Sequence, residues 1–231
     1  MELKSLTDAG VKVYDNQDNY WAARLLIDGE EVGVICLCDG MGGLDNGALA
    51  SKIVVSEVKK YLINKADTKS IESIILRANR ELFKLSSSKG IKSGTTCTLV
   101  ICRGGNYEIY HVGDSRCYHM NSALNSVSIL TEDHTVIAKY EKEGKILPEN
   151  LKRKYKNTLV RCVGVSESVV VDYIKGTYNS GDMFLVCSDG FWHSLEVGHF
   201  FDGSLDRLDL LAKKFISLGE TDNITAVWIK V

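Results

Sequence analysis

The sequence predicts an α+β protein in which antiparallel β-sheets pack together and are covered by helices. Two observations lead to this class: strand-like segments come in runs separated by pairs of helical segments, and few segments have the strand–helix–strand order of a parallel sheet. With 231 residues, 45% of them hydrophobic, the chain can bury a sizeable core. A single proline, Pro148, and the absence of linker-like composition predict one domain that spans residues 1–231.

The first half of the chain predicts a hairpin, a helix pair and a meander. Residues 20–27 and 32–38 are strand-like and are joined by a turn at Asp28–Gly29. Residues 46–62 and 70–86 carry apolar residues at helical spacing. Three further strands, at 93–102, 107–113 and 115–120, are separated by turn glycines and predict an antiparallel meander.

The second half predicts shorter elements around a basic segment. A short helix is expected at 134–143, strands near 168–175 and 183–187, helices near 191–200 and 204–217, and a last strand in "NITAVWIKV". Residues 144–163, between the short helix and the first of these strands, are predicted to be irregular and basic. We expect residues 144–160 to form a mobile flap. Its cationic residues are Lys152, Arg153, Lys154 and Lys156.

Composition narrows the classes of function. The formal charge of −2 comes from 28 basic and 30 acidic residues that are interspersed, which argues against a nucleic-acid partner or a membrane surface. The N-terminus lacks the apolar region of a signal peptide, and no apolar run is long enough to span a bilayer, so a cytoplasmic location is expected. Seven cysteines without a CxxC pair read as reduced, buried small side chains with no chemistry assigned.

Four aspartates stand at the ends of predicted strands: Asp39, Asp114, Asp189 and Asp222. Hard divalent cations such as Mg²⁺ and Mn²⁺ prefer carboxylate, carbonyl and water oxygens, and strand ends hold carboxylates rigidly. Gly40 follows Asp39, and a residue without a Cβ can turn its carbonyl towards a cation bound next door. Taken singly, each motif is also compatible with a tight turn or an Asx turn. "DGMGG" is not a phosphate-binding P-loop, because it lacks the Gly-Lys-Ser/Thr ending.

Taken in order, these stretches resemble the metal-dependent Ser/Thr protein phosphatases of type 2C, from about Thr7 to Val231. The matching stretches are "TDAG" to "NQD" (7–18), "DGMGG" (39–43), "SGTT" (93–96), "HVGDSR" (111–116), "LTEDHT" (130–135), "NTLVRCVG" (157–164), "CSDGFW" (187–192) and "TDNIT" (221–225). "DGMGG", with no histidine after Asp-Gly, is similar to the bacterial branch of the family.

The resemblance implies a central β-sandwich of two antiparallel sheets flanked by helix pairs, a four-layer αββα fold, with a binuclear Mg²⁺/Mn²⁺ centre at one end. Carried over by position, Asp39 would bridge two metals, Gly40 would offer its carbonyl to one, and Asp189 and Asp222 would hold the other. Asp18 would hold a metal through water. Asp114, together with Asp189, matches the site of a third, weaker metal.

The chemistry implied is hydrolysis of phosphoserine and phosphothreonine in proteins. A hydroxide bridging two cations ~3.5–4 Å apart would attack phosphorus directly, so no covalent phosphoenzyme is needed. Asp39, Asp189 and Asp222 are therefore the expected catalytic residues. The expected partners are a phosphorylated Ser/Thr protein and the cognate Ser/Thr kinase, and the protein is expected to be a monomer.

Three departures from the family pattern concern the substrate. Val13 stands where the family has a phosphate-holding arginine, and Lys12 would face the other way if this stretch is a strand. Met41 stands where some members have a histidine that acts as a general acid, and His134 is expected to be structural. "LKRKYKN" (151–157) lacks the usual His-Pro.

Two alternatives remain open at the level of sequence. The chain could be a catalytically weakened member that binds phosphoproteins as a regulatory module, although its complete set of aspartates argues against this. A two-metal nuclease is remote, because the sequence predicts no basic groove.

Overall fold

The computed structural model describes residues 1–11, 15–41, 46–65 and 70–231. Its strands are β1 (Glu2–Asp8), β2 (Asn19–Ile27), β3 (Glu30–Cys38), β4 (Cys97–Arg103), β5 (Asn106–Val112), β6 (Arg116–Asn121), β7 (Ser126–Ile129), β8 (Asp172–Thr177), β9 (Met183–Cys187) and β10 (Ile224–Lys230). Its α-helices are α1 (Gly47–Lys65), α2 (Ile71–Lys89), α3 (Val136–Lys142), α4 (Glu149–Lys154), α5 (Asp189–Trp192) and α6 (Leu208–Ser217). Two 3₁₀ turns, Val197–Phe200 and Ser204–Arg207, precede α6.

The strands form two five-stranded sheets that face each other. The first sheet has the order β1-β10-β9-β6-β7 and the second has the order β2-β3-β4-β5-β8. Every strand pair in both sheets is antiparallel. This confirms the predicted sandwich of two antiparallel sheets.

Three apolar layers hold the sandwich together. The layer between the sheets contains fully buried side chains from both of them, among them Leu37 of β3 and Phe184 of β9. The helices α1 and α2 cover the outer face of the second sheet, and the amphipathic α6 covers the outer face of the first. Because alternate residues of β3 face opposite layers, the strand is buried on both sides and reads as a continuous apolar run.

Of the elements predicted in the first half of the chain, the hairpin and the helix pair are found where expected, whereas the meander is not. The β2–β3 hairpin turns at Asp28 and Gly29, both with positive φ (53° and 80°), as a tight two-residue turn requires. The exception is the meander: β4 pairs with β5, but β6 pairs with β9 and β7 in the other sheet. The chain changes sheets at Gly113, whose φ of +114° is open to glycine and strained for other residues.

Several smaller elements differ from the sequence prediction. The strands β1 and β7 were not predicted: β1 has no apolar alternation, and β7 alternates but is only four residues long. The helix expected near 191–200 is instead the one-turn α5 followed by a 3₁₀ turn. This break occurs where Glu196 starts a new turn and its N–H donates to His199 Nδ1 (3.1 Å). The irregular segment 144–163 contains the short helix α4, which begins after Pro148.

In the described part of the chain, no helix combines the length and the apolar character needed to cross a membrane. The longest helices, α1 and α2, have 19 residues each. Charged residues recur along both, as in "KKYLINK" and "RANRELFK".

Candidate metal centre

Asp39 is fixed by its backbone at the end of β3. Its N–H donates to Thr96 Oγ1 (2.8 Å), and its carbonyl accepts from the N–H of Thr96 and from Thr95 Oγ1 (both 2.8 Å). The backbone therefore carries the structural role, and the carboxylate is left available. The two threonines come from "SGTT", a stretch that the sequence had singled out without a role.

Gly40 occupies a place that no larger residue can fill. A Cβ at this position would lie 2.4 Å from the carbonyl oxygen of Gly47 and 2.6 Å from that of Gln17. Its N–H donates to the carbonyl of Gln17 (3.1 Å), which ties the end of β3 to the segment before β2. The sequence predicts a glycine here so that its carbonyl can turn towards a cation. The structure adds a second reason, because the neighbouring backbone leaves no room for a Cβ.

Asp18 is the most unusual carboxylate of the chain. Its side chain is buried, and neither Oδ1 nor Oδ2 has a hydrogen-bond partner among the described residues. The hydroxyls of Ser188 and Thr225 lie nearby and moderate the rise that burial causes in the pKa of Asp18, but both are engaged elsewhere. Ser188 Oγ donates to the Thr225 carbonyl (3.4 Å), and Thr225 Oγ1 bonds Thr7 Oγ1 (2.8 Å). A buried carboxylate without donors is strongly destabilising unless a cation or a proton compensates it.

Asp189 and Asp222 come from neighbouring strands of the first sheet. Asp189 begins α5 directly after β9, and Asp222 precedes β10, which pairs with β9. The two loops touch at Gly190, where a Cβ would lie 2.2 Å from the carbonyl oxygen of Asn223. Asp222 Oδ1 accepts from the N–H of Asn223 (2.9 Å), which orients this carboxylate.

Asp114 lies where the chain passes from one sheet to the other. Its carbonyl accepts from Trp192 Nε1 (2.9 Å), and its side chain is buried. The preceding Gly113 donates its N–H to His134 Nδ1 (2.9 Å) and accepts from the N–H of His134 (2.8 Å). Asp114 is therefore held from both sides, by α5 and by the segment before α3.

The electrostatics show that the predicted carboxylates lie close together. Burial, reinforced by the charges of Asp18, Asp189, Asp114 and Asp222, raises the pKa of Asp39 well above its ordinary value. Burial raises the pKa of Asp18 to about 7 and that of Asp114 to about 8, and the neighbouring Asp189 contributes in both cases. The pKa of Asp189 is raised by burial and by Asp222. The structure thus brings together all five carboxylates that the sequence had singled out.

This arrangement fits a hard divalent cation. The donors are oxygens only, the Asp18 oxygens are orphaned in the interior, and the Gly40 cradle leaves a main-chain carbonyl beside Asp39. Among the described residues, no three carboxylates yet place oxygens within 4.8 Å of one another.

A cleft opens beside Asp114 and Asp189. It measures about 250 Å³, and its remaining wall includes Arg116, Asp133, Trp192, Lys156 and Asn157. Arg116 makes a paired contact with Asp133 (2.7 and 3.0 Å) and lies 3.5 Å over the Trp192 ring. This stack forms a rigid floor for the cleft, and Lys156 supplies a cation at its rim.

His134, which the sequence predicts to be structural, has both ring nitrogens in contact with other residues of the chain. Because Nδ1 accepts from Gly113, the ring proton resides on Nε2 and is donated to Asp172 Oδ2 (3.0 Å). Arg161, which follows the predicted flap, also binds Asp172. His134 thus connects the Asp114 corner to the base of the flap segment.

Lys12 and Val13, which bear on phosphate binding, lie outside the described residues, as do Gly42 and Gly43 of "DGMGG". The sequence analysis missed the supporting residues Trp192 and Arg161, although both stand inside the motifs quoted above. It also missed that Cys36, Cys38 and Cys97 form a cluster.

Comparison with known proteins points to one family. The model of the family described as protein phosphatase 2C matches residues 14–215. The serine/threonine phosphatase stp of Listeria welshimeri is 27% identical over 246 residues, covering 100% of this chain and 96% of that protein.

Solved structures agree. The S. agalactiae serine/threonine phosphatase superposes with a TM-score of 0.84 at 27% identity, covering 100% of this chain and 99% of that one. The catalytic domain of the phosphatase PstP, solved in complex with two manganese ions, has the same fold, with a TM-score of 0.78 at 23% identity, covering 98% of this chain and 96% of that one.

Proposed function

Because the chain belongs to the protein phosphatase 2C family, we propose that it hydrolyses phosphoserine and phosphothreonine in proteins at a binuclear Mg²⁺/Mn²⁺ centre. The observation that carries this proposal is the buried, unpartnered carboxylate of Asp18 beside Asp39, Asp189 and Asp222. A structural ion-pair network would include cationic partners, whereas none of these four carboxylates forms a salt bridge within the described residues, and burial together with their mutual charges raises the pKa values of Asp18, Asp39 and Asp189. Divalent cations are the charge that such a site lacks.

Each residue has a proposed role toward the metals. Asp39 would bridge two cations, with the Gly40 carbonyl on one of them and with Asp189 and Asp222 on the other. Asp18 would hold its cation through water, and Asp114 with Asp189 would hold a third, weaker one. When bound, the cations supply positive charge for the transferring phosphoryl group and acidify bound water.

The chain's own hydrogen bonds position the carboxylates that would bind the metals. The threonine hydrogen bonds fix Asp39, and Trp192 and His134 fix the Asp114 corner. The leaving alkoxide would take its proton from water, since Met41 stands where some members have a histidine. Loss of the phosphate-holding arginine at Val13 is expected to weaken binding of small phosphates.

The deciding experiment is hydrolysis of p-nitrophenyl phosphate and of a phosphothreonine peptide, each with Mn²⁺, with Mg²⁺ and with a chelator. We expect turnover of both substrates that depends on the added metal. Tight binding of the phosphopeptide without turnover in any metal would favour the regulatory-module alternative. Turnover that persists after exhaustive chelation would contradict the metal centre.

The remaining expectations concern the cellular setting. A phosphorylated protein is the proposed substrate, with a cognate Ser/Thr kinase as its opposing enzyme. A monomer in the cytoplasm, acting without nucleic acid or membrane, is the simplest arrangement for such an activity. Size-exclusion chromatography with light scattering tests the monomer.

The cationic residues of the predicted flap lie in different places, so one of them can serve as a control for another. Lys156 lines the same cleft as Asp114 and Asp189, whereas Arg153 pairs with Glu149 on the exposed side of α4. We expect Lys156→Glu to lower kcat/KM for phosphopeptides about tenfold and to change that for p-nitrophenyl phosphate little, since the reversed charge repels a phosphorylated chain. Arg153→Glu is the matched control and should leave both values near wild type. Equal effects of Lys156→Glu on both substrates would remove the role in specificity.

His134 provides a second test of how the site is held. His134→Ala removes the acceptor for Gly113 and the donor to Asp172, so we expect kcat to fall about tenfold, the effect of roughly 1.4 kcal/mol. His134→Asn keeps an acceptor near the Nδ1 position and should recover most of the loss. Comparing kcat and the Mn²⁺ concentration for half-maximal rate in both variants provides the measurement. If alanine and asparagine are equally impaired, the contact with Gly113 does not position Asp114.

A further inference from the structure

Three cysteines converge on the face of the second sheet that is covered by α1 and α2. Cys36 and Cys38 are alternate residues of β3, so their side chains lie on the same face. The β3–β4 register pairs Leu37 with Thr98, and the bridge between Gly40 and Thr95 continues it, which places Cys38 opposite Cys97. The three Sγ atoms lie within 4.8 Å of one another.

The cluster is completely buried in an apolar layer. All three cysteines are 0% exposed, and their layer is formed by the second sheet with α1 and α2. Within the described residues, they form the only group of three or more His, Cys, Asp or Glu side chains whose ligand atoms come this close. No disulfide joins them. The three cysteines are therefore a buried cluster of soft donors, to which the described part of the chain adds no fourth His, Cys, Asp or Glu ligand.

The net charge of a complex with three thiolates decides which soft ion the buried cluster can hold. Zinc in a structural site takes four ligands, and with three thiolates it leaves a net negative charge in the interior. Copper(I) with three thiolates leaves a larger one, and burying unpaired charge is strongly unfavourable. A trivalent ion with three thiolates is neutral and needs no further ligand. We propose that Cys36, Cys38 and Cys97 form a three-thiol binding site for trivalent arsenic.

The binding step is a ligand exchange without redox change. Arsenous acid, As(OH)₃, exchanges its three hydroxides for three thiolates: three As–S bonds form, three As–O bonds break, and the thiol protons leave with the hydroxides as three waters. Arsenic remains trivalent, and no oxidant or reductant is consumed. Arsenous acid is small and uncharged, so it can reach the cluster when the contact of α1 with the sheet opens locally. Binding is therefore expected to be slow and to accelerate in mild urea.

The cluster adjoins the residues that fix Asp39. Cys38 directly precedes Asp39, and Cys97 directly follows Thr96, whose Oγ1 and N–H bond the Asp39 backbone. Binding of Cys38 and Cys97 to one arsenic atom would therefore move Asp39 and Thr96. Occupancy is thus expected to lower phosphatase turnover, a consequence that rests on the proposed function.

The primary test is binding, and it does not depend on activity. The reduced protein is incubated with arsenite, desalted and measured by native mass spectrometry. We expect a gain of one arsenic and a loss of three hydrogens. X-ray absorption of the arsenic-loaded wild type should show three sulfur neighbours and no oxygen, a result that needs no variant.

Variants localise the site. Cys36→Ala and Cys97→Ala are expected to weaken arsenic binding by at least about tenfold, because a two-thiol complex retains an exchangeable hydroxide. Cys102→Ala is the matched control, a buried cysteine of the layer between the sheets, and should bind like wild type. Unchanged mass of the wild type in arsenite with mild urea, or oxygen neighbours at arsenic, would overturn the proposal. Equal binding by Cys36→Ala and wild type would overturn it as well.

A parallel assay separates this proposal from the proposed function. Arsenite should inhibit hydrolysis of p-nitrophenyl phosphate by wild type and by Cys102→Ala, and should spare Cys36→Ala. Arsenic binding without any phosphatase activity in untreated protein would leave the three-thiol site standing and contradict the proposed function. Arsenic binding with full activity would retain the site and refute its coupling to Asp39.

Discussion

Asp39→Asn and Asp222→Asn are each expected to reduce kcat by several decades while the protein remains folded. Each change removes one carboxylate charge and preserves the shape of the side chain. The backbone bonds of Asp39 to Thr96 are unaffected, and an asparagine at 222 can still accept from Asn223. Loss of a metal ligand removes stabilisation made in the transition state, so the rate falls more than the stability.

The measurement is steady-state hydrolysis of p-nitrophenyl phosphate and of a phosphothreonine peptide at saturating Mn²⁺, with Mn²⁺ affinity by calorimetry. Asp28→Asn is a matched control, because Asp28 lies in the β2–β3 turn, at the opposite end of β3 from Asp39, and is exposed. Asparagine also tolerates its positive φ. If either site variant retained more than about a tenth of the wild-type kcat, its carboxylate would not be a ligand of the reacting centre.

Much of the fold could be predicted from the sequence because the strands β3, β4, β9 and β10 are buried on both faces. Runs such as "VICLC" and "FLVC" end sharply at Asp39 and before Asp189, so strand ends and candidate ligands could be recognised together. The family assignment rests on the same stretches and is confirmed by the family match. The metal roles of the individual residues remain a proposal.

The features that were not predicted depend on pairing between distant segments. The residues of β5 and β6 themselves suggest a hairpin. That β6 instead joins the other sheet depends on its pairing with β9, about 65 positions further along the chain, and Gly113 permits the change of direction. The cysteine cluster likewise requires the β3–β4 register, which joins residues that are 59 positions apart at Cys38 and Cys97. Periodicity identifies which face a residue lies on, and only the register identifies its neighbours across the sheet.

Mn²⁺ is expected to stabilise the protein against heat, and the effect should grow with pH. In the metal-free protein, the pKa values of Asp18 (about 7) and Asp114 (about 8) lie above the ordinary 3.8, chiefly because of burial. The folded state therefore holds protons on these two groups that the unfolded chain has released between about pH 4 and 8, so their contribution to the metal-free stability falls as the pH rises through this window. A bound cation compensates the same charges and favours the folded state by mass action.

Thermal unfolding at pH 5 and pH 8, with Mn²⁺ and with a chelator, measures this difference. We expect the Tm difference between Mn²⁺ and chelator to be several degrees larger at pH 8 than at pH 5. This difference is the measure because burial also lowers the pKa of His111 to about 3, and that group destabilises the folded protein at pH 5 with or without the metal. The Asp28→Asn protein should follow wild type throughout. A Tm difference between Mn²⁺ and chelator that is the same at pH 5 and pH 8 would mean that these carboxylates are compensated by groups of the protein itself.

Asp18→Asn isolates the buried, unpartnered carboxylate within this effect. At pH 8 in chelator, the variant should melt several degrees above wild type, because an amide without partners is less costly to bury than a carboxylate ion. At pH 5, where Asp18 is already protonated in the folded protein, the two should be closer. With Mn²⁺ the order should reverse, since the variant has lost one contact to the centre through water. A variant that melts below wild type in chelator at pH 8 would show that Asp18 is stabilised by the protein alone, and the argument for a cation at this position would be lost.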